Sequence, residues 1–240
     1  MNGSIGLIND FKTHCATFDS AAVEVVVCPP FPLLTNARQS FGQTLRIGAQ
    51  DCSTQENGAR TGDVSAALLA EAGTQYCIIG HSERRMGHGE TASLISDKYR
   101  QLIANKIQPI FCIGETEAER RKGHWKQALN AQLQSLIGTF RRPLLIAYEP
   151  VWAIGSGLVP TSNLIVETIC HIQRFVTDQM NMPNSARVLY GGSADETSAA
   201  RLTSLDGVAG LLVGGASLDA CRFGKIISAV ADTNWDVLRD

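Results

Sequence analysis

Two candidate catalytic side chains, a histidine and a carboxylate, each follow a short apolar run of the sequence. His81 comes after Tyr76–Ile79 and Gly80, and Ser82 and Glu83, which are residue types that begin helices, follow it. The positive end of a helix disfavours imidazolium, so this placement predicts a neutral histidine that donates hydrogen bonds near pH 7. The alternative is a histidine whose hydrogen bonds are satisfied inside the core.

Glu149 follows the apolar run Leu144–Tyr148. A carboxylate at that position is poorly solvated, which raises its affinity for a proton and suits a general base. The loop after it begins with Pro and Trp and ends with Gly-Ser-Gly, a pattern typical of a lid that closes over a ligand. Its residues are Pro150, Val151, Trp152, Ala153, Ile154, Gly155, Ser156 and Gly157. The alternatives are a strand-end cap for Glu149 and a rigid turn for the loop.

Two glycine pairs late in the chain indicate an anion site. They lie in the segments Gly191–Ser193 and Gly214–Ser217. Phosphate requires several convergent backbone N–H groups, and glycine permits the close approach that aims them. One pair alone is weak evidence, but two pairs at strand ends, after a candidate lid, predict a phosphate site.

The elements that must hold these residues alternate along the chain, as short apolar runs and longer amphipathic segments. Such alternation is typical of βαβ units around a parallel sheet. The predicted strands are Val23–Cys28, Leu45–Ala49, Tyr76–Ile79, Pro109–Ile113, Leu144–Tyr148, Arg187–Tyr190 and Gly210–Val213, and two of the predicted helices are Thr91–Asn105 and Thr116–Thr139. Because no linker divides the chain, we predict a single α/β domain over residues 1–240, a (β/α)8 TIM barrel.

An eighth strand is not visible in the sequence. Residues 4–17 have helical spacing with Ser4 as the cap, and only Met1, Asn2 and Gly3 precede them. We therefore expect seven strands, with the first strand of the barrel missing.

Composition narrows the classes of function. Of the 240 residues 44% are apolar and the formal net charge is -2, so no global basic field favours nucleic acid or anionic lipid. No apolar stretch has the length of a membrane span and no leader pattern begins the chain, so we expect no membrane association and a cytoplasmic protein. The seven cysteines and five histidines lack metal-ligand spacing, which predicts reduced, buried thiols and no metal site.

Five strings of the sequence together resemble the triosephosphate isomerase family. They are GHSERR at 80–85, CIGET at 112–116, AYEPVWAIGSG at 147–157, YGGS at 190–193 and LVGGASL at 212–218, in that family's order and spacing. The resemblance runs from Asn2 to about Ala231. It implies a glycolytic and gluconeogenic aldose–ketose isomerase that interconverts dihydroxyacetone phosphate and D-glyceraldehyde 3-phosphate through an enediolate, without metal or cofactor.

The resemblance also implies roles for individual residues. Glu149 would move the proton between adjacent carbons. His81 would polarise the carbonyl as a neutral imidazole and shuttle protons between the enediolate oxygens, a role for which this family is itself the standard example. Closure of the lid would keep water from the enediolate. The phosphate would bind the backbone N–H groups of Gly155, Ser193, Gly214 and Gly215.

Two further features follow from the resemblance. The loop from Gln50 to Gly62 would insert into a partner subunit and form a homodimer, although its polar composition fits a solvent-facing loop equally well. Glu83 would be an acid that lies beside the site without touching the substrate. A structural salt bridge from Glu83 to Arg84 or Arg85 is the alternative.

The chain departs from the family at its start. The family's first strand ends in Asn-x-Lys before a Met-Asn-Gly-Ser-like segment, and Met1–Ser4 matches only the tail of that motif. The six lysines fall in helical patterns, so none is expected to replace the missing one, and losing such a charge costs on the order of 10² to 10³ in rate. A coding segment upstream of Met1 would restore a working isomerase. A genuinely short chain predicts instead a catalytically impaired barrel that binds phosphorylated ligands, while a different phosphate-binding barrel enzyme would leave AYEPVWAIG unexplained.

Overall fold

A curled sheet of seven parallel strands forms the centre of the molecule. The computed structural model describes residues 2–15, 18, 22–139, 144–155, 157–181 and 186–233, and within them the strands pair in sequence order as a half-barrel. The strands are β1 (Val26–Val27), β2 (Arg46–Ala49), β3 (Tyr76–Ile79), β4 (Gln108–Ile113), β5 (Leu144–Tyr148), β6 (Ala186–Tyr190) and β7 (Val208–Leu211). The predicted α/β TIM-barrel fold with seven visible strands is confirmed.

Two strands, β1 and β7, differ from their predicted bounds by more than one residue. β1 comprises only Val26 and Val27, which pair with β2, although the apolar run begins at Val23. β7 begins at Val208 rather than Gly210, because the register against β6 shifts between Val188 and Leu189. A bulge of this kind inserts a residue that periodicity alone does not reveal.

Helices cover the outside of the sheet. They are α1 (Ile5–His14), α2 (Leu34–Phe41), α3 (Ala66–Glu71), α4 (Ser82–Gly87), α5 (Ala92–Ala104), α6 (Glu117–Arg121), α7 (Trp125–Gln134), α8 (Ser162–Met180), α9 (Ala199–Thr203) and α10 (Ala220–Ala231). Within the described ranges, no helix combines the length and apolarity that crossing a membrane requires.

The ends of two helices can be compared directly with the bounds predicted from the sequence. Ser4 caps α1 as predicted, since its Oγ accepts a hydrogen bond from the Leu7 N–H at 3.0 Å, while the predicted end at Thr17 lies outside the described residues. The single helix predicted over residues 116–139 is wrong. It divides into α6 and α7 at Gly123, whose φ of 73° lies in the left-handed region that favours glycine.

The first and last helices pack side by side. The Phe11 ring of α1 lies with its centroid 5.3 Å from that of Phe223 in α10 and 6.3 Å from that of Phe41 in α2. The helical layer is therefore continuous from α10 through α1 to α2. In the described part of the chain β1 and β7 do not pair, and a cavity of about 1850 Å³ extends from the space between them to the carboxyl ends of the strands.

All seven cysteines are free thiols. The prediction that they are buried is correct for four and wrong for three, because Cys170 and Cys221 lie partly on outward faces of helices and Cys28 lines the cavity. The buried thiols belong to Cys15, Cys52, Cys77 and Cys112, the half-buried ones to Cys28 and Cys170, and the exposed one to Cys221.

Candidate active site

His81 stands where β3 turns into α4. Gly80, with φ of 68°, makes the turn after the strand, and His81 is the N-cap of the helix. Its Nδ1 accepts a hydrogen bond from the Glu83 N–H at 3.3 Å, so this nitrogen carries no proton in the arrangement described. The other ring nitrogen, Nε2, is left to donate.

Glu149 directly follows β5 and faces that donor. Its side chain is only 2% exposed, and its Oε1 lies 2.9 Å from His81 Nε2. Its Oε2 accepts a hydrogen bond from the Ser82 N–H at 3.2 Å. The structure thus brings together the two residues that the sequence singled out, and the same turn of α4 holds both carboxylate oxygens.

Close packing of the backbone fixes the strand ends that carry His81 and Glu149. A Cβ on Gly114, the residue after β4, would lie 1.7 Å from the Glu149 carbonyl oxygen, so only glycine fits there. Arg85 of α4 donates to the carbonyl oxygens of Gly80 at 2.6 Å and Cys112 at 2.9 Å. These bonds tie the first turn of α4 to the ends of β3 and β4.

The pKa of His81 reflects two opposing effects. Burial disfavours the imidazolium, but the hydrogen bond and the negative charge of Glu149 outweigh it, and the pKa of His81 is raised from its usual value. The expectation of a neutral histidine considered only the helix terminus. The sequence offered no sign that the carboxylate of Glu149 contacts the ring.

The candidate lid is tied to the barrel at two points. Residues Val151–Ala153 form a 3-10 turn in which the Trp152 Nε1–H donates to Glu115 Oε1 at 3.1 Å. The Ser193 hydroxyl donates to the Ala153 carbonyl oxygen at 2.7 Å. Beyond these ties Gly155 is exposed, and Ser156 lies outside the described residues.

Glu115, which sequence reasoning missed, is the centre of the first of these ties. Its carboxylate is fully buried and also accepts from Arg120 at 2.8 Å and from the Tyr148 hydroxyl at 3.2 Å. Glu115 is the second residue after β4, and Glu149 is the first after β5. The rule that pointed to Glu149, a carboxylate after an apolar run, would have found it.

The candidate phosphate donors line the same cavity as His81 and Glu149. An ideal Cβ on Gly214 or Gly215 would meet no described atom within 4 Å, so these backbones stand open to the cavity. A 3-10 turn, Gly215–Leu218, begins there. The residues that the sequence nominated as donors and that the structure places on this wall are Gly155, Ser193, Gly214 and Gly215.

Two of the arginines that line the cavity are already paired. Arg222 makes a two-pronged contact with Glu196, and Arg84 pairs with Asp51 and Glu90. All six lysines are among the described residues, and none of them lines the cavity. Among the described side chains, no group of three or more metal-ligating residues is present.

Glu83 lies beside the histidine without an arginine partner. Its side chain is 82% exposed, and its Oε2 is 4.0 Å from His81 Nδ1. Arg84 and Arg85 have the other partners already named. The alternative of a structural salt bridge between Glu83 and these arginines therefore has no counterpart in the described structure.

The candidate dimer loop projects from the end of β2. Ser53 closes its base, because the Ser53 N–H donates to the Val64 carbonyl at 2.8 Å and its hydroxyl donates to Asp63 at 2.8 Å. Residues 55–63 are exposed. The loop is thus anchored at its base and open to solvent at its tip.

Comparisons with known proteins agree on one family. The sequence model of the family described as triosephosphate isomerase matches residues 1–230. A protein of Ruegeria pomeroyi named triosephosphate isomerase is 41% identical over an alignment that covers 96% of this chain and 94% of that protein. A protein of the same name from Acidiphilium cryptum is 43% identical, with coverage of 96% and 95%. Nothing in these comparisons favours the alternative of an impaired, purely ligand-binding barrel.

Proposed function

The chain belongs to the triosephosphate isomerase family, and we propose that it acts as one catalytic domain that interconverts dihydroxyacetone phosphate and D-glyceraldehyde 3-phosphate. The observation that carries this proposal is the contact of 2.9 Å between His81 Nε2 and Glu149 Oε1 at the edge of a cavity lined by open glycines. It supplies a base, a proton donor and a phosphate site within one enclosure.

Glu149 is the base in this proposal. A buried carboxylate takes the proton from the carbon next to the carbonyl, and the electron pair of that C–H bond forms the double bond of the enediolate. The same carboxylic acid then returns the proton to the neighbouring carbon, while the hydroxyl proton of the substrate passes by way of His81 to the former carbonyl oxygen. Its exposure of 2% supports this role, because water is kept away from the carboxylate that takes the proton.

His81 is the electrophile. The Glu83 N–H at Nδ1 fixes the tautomer that carries its proton on Nε2, so the ring donates a hydrogen bond into the cavity. In the described arrangement Glu149 accepts that bond. When substrate binds, its carbonyl oxygen takes the place of the carboxylate at Nε2, and Glu149 turns towards the carbon that it deprotonates.

The opposite wall holds the phosphate. We expect the backbone N–H groups of Gly155, Ser193, Gly214 and Gly215 to bind it, as open glycine backbone allows. Closing the lid over the phosphate requires release of the Ser193–Ala153 and Trp152–Glu115 bonds. The closed lid then excludes water, which protects the enediolate from loss of phosphate.

Turnover of the purified protein tests this function. We expect isomerisation in both directions, and protection from thermal unfolding by 2-phosphoglycolate, whose carboxylate mimics the enediolate. Protection without turnover would overturn the proposed activity and leave a ligand-binding barrel. A matched sample without the mimic and one with inorganic phosphate alone separate recognition of the enediolate from recognition of phosphate.

We also propose a homodimer formed through the loop of residues 50–62, working in the cytoplasm. The exposed tip on an anchored base supports the interface, and seven free thiols fit a reducing compartment. Light scattering after size exclusion measures the mass of the assembly. Thr61→Arg, at the tip, should shift it to that of a monomer, whereas a dimer that persists in this variant would contradict the loop's role.

A further inference from the structure

Four charged side chains form a closed ring beside α4. Lys98 Nζ lies 2.6 Å from Asp51 Oδ1 and also contacts Glu90 Oε1. Arg84 Nη2 lies 2.8 Å from Asp51 Oδ2, and its Nε donates to the same oxygen of Glu90 that Lys98 contacts. Two positive and two negative groups thus alternate, with no net charge. We call these four residues the charge ring.

The charge ring is largely shielded from water. The side chains of Glu90 and Lys98 are 3% and 7% exposed. Buried ion pairs carry a desolvation penalty that often cancels their attraction, and their best-attested use is to fix one arrangement among several. The question for this molecule is therefore what arrangement the ring fixes.

The ring members come from separate parts of the chain. Asp51 follows β2, Arg84 belongs to α4, Glu90 lies between α4 and α5, and Lys98 belongs to α5. Both cations of the ring contact both carboxylates, but only Lys98 lies outside α4. Removing its ammonium leaves Arg84 alone to hold the two carboxylates.

Arg84 lies in the turn of α4 that contacts the reacting groups. Its backbone N–H donates to the His81 carbonyl oxygen at 2.9 Å. Between these two residues, Ser82 donates its N–H to Glu149 at 3.2 Å. A displacement of Arg84 therefore moves the His81 ring and the Ser82 donor together.

We propose that Lys98 is a positioning residue for the isomerisation. By holding Asp51 and Glu90, it fixes Arg84. Arg84 in turn fixes the first turn of α4, which presents His81 and the Ser82 N–H. Asp51 also lies at the base of the loop of residues 50–62. Docking of a partner subunit on this loop therefore affects the position of His81 through the charge ring. This inference rests on the proposed function, because it requires His81 and Glu149 to be the reacting groups.

The ionisation of the two carboxyl groups agrees with this arrangement. Burial opposes ionisation of Glu90, but the hydrogen bonds from Lys98 and Arg84 outweigh it and hold its pKa below the usual value. For Asp51 burial prevails, and its pKa is raised although Lys98 donates to it. Both carboxylates therefore depend on Lys98.

The test is Lys98→Met, which keeps an unbranched stem and removes the ammonium. We expect kcat to fall about tenfold to a hundredfold, the size of effect that a misplacement of about 1 Å produces. KM should change less than about twofold, because the proposed phosphate donors lie on the other wall. Lys122→Met, at an exposed lysine, is the matched control and should retain the wild-type kcat.

A second variant separates positioning from stability. Lys98→Met/Glu90→Gln removes one charge of each sign and leaves Arg84 paired with Asp51, so it should recover the melting temperature that Lys98→Met loses. We expect its kcat to stay low. Recovery of kcat together with the melting temperature would overturn the proposal, and this neutral variant tests the positioning role by itself if Lys98→Met does not fold.

The outcomes also distinguish this inference from the function on which it rests. Wild-type kcat in both Lys98 variants, beside an active wild type, overturns the positioning role alone. Absence of turnover in the wild type and in Lys122→Met overturns the proposed function, and the positioning role falls with it.

Discussion

On the β3–β5 wall of the cavity the reacting groups are held by several contacts each, whereas on the β6–β7 wall the glycines stand in open space. Glu149 accepts hydrogen bonds from His81 and Ser82, and Gly114 packs against its backbone. On the other wall nothing described lies within 4 Å of an ideal Cβ on Gly214 or Gly215. The proposed reacting groups are thus held in place by the fold, while the proposed phosphate wall is open in the described structure.

This difference fits what each wall must do. Groups that stabilise a transition state act best when they are fixed before the reaction, so that no reorganisation opposes them. A phosphate that enters and leaves requires a wall that opens. Changes confined to one wall should therefore leave the other intact.

Removing the base should have the largest effect. Glu149→Gln keeps the shape of the side chain but cannot take a proton, so kcat should fall by about 10²- to 10⁴-fold. KM should change little, because the binding wall is untouched. Steady-state kinetics measures both. A variant that raised KM and preserved kcat would mean that Glu149 belongs to the binding wall.

Adding one carbon to the fixed wall should destabilise the protein. In Gly114→Ala the new Cβ meets the Glu149 carbonyl oxygen at 1.7 Å, so β4 and β5 must separate, at a cost of about 1–3 kcal/mol in the free energy of unfolding. Urea unfolding measures this loss. Gly6→Ala, in the exposed part of α1, is the control and should be neutral or slightly stabilising. Equal stability of the two variants would contradict a closely packed wall.

The same change on the open wall should act on binding instead. Gly215→Ala meets no described atom, so stability should hold within about 0.5 kcal/mol. The methyl group hinders approach to the backbone N–H, and KM should rise about tenfold, equivalent to one hydrogen bond to a charged group. Gly87→Ala, equally open but outside the cavity, should keep the wild-type KM. An unchanged KM in Gly215→Ala would remove this residue from the phosphate site.

The smallest effect concerns the titration of His81. Because Glu149 raises its pKa, Glu149→Gln should lower the pKa that NMR reads from the ring. A raised histidine pKa contributes stability below the unfolded value of 6.5, and this contribution is lost as pH rises through the folded value. The stability difference between wild type and variant should therefore be larger at about pH 5.5 than at about pH 8.5. An unshifted pKa would mean that the carboxylate does not contact the ring in solution.

The strands were predictable because they follow local rules, and the same rules nominated the candidate reacting residues. A strand buried on both faces reads as an apolar run, and the residue after it lies on the catalytic face of a barrel. That reasoning found β5 and Glu149 together. The candidate phosphate-binding glycines could be nominated for the same reason, since a required backbone conformation selects the residue type locally.

What the sequence did not reveal depends on contacts between distant elements. Lys98 sits in a helical pattern that suggests the outer layer, and only the approach of Asp51 and Glu90 explains its burial. The break at Gly123 was missed because a glycine inside a helical pattern is tolerated as often as it ends the helix. The start of β7 was missed because register depends on the neighbouring strand.

The resting position of Glu149 has a consequence for how fast ligands come and go. Its carboxylate already occupies the His81 donor that the proposed mechanism assigns to the substrate carbonyl, so in that mechanism it acts as a tethered competitive inhibitor. The apparent dissociation constant of any ligand equals the intrinsic one divided by the fraction of molecules in which the carboxylate has turned aside. Because Glu149 belongs to the same chain, its carboxylate has a high effective concentration at His81, and it returns to that donor as product leaves. The carboxylate therefore weakens the binding of ligand and speeds the release of product.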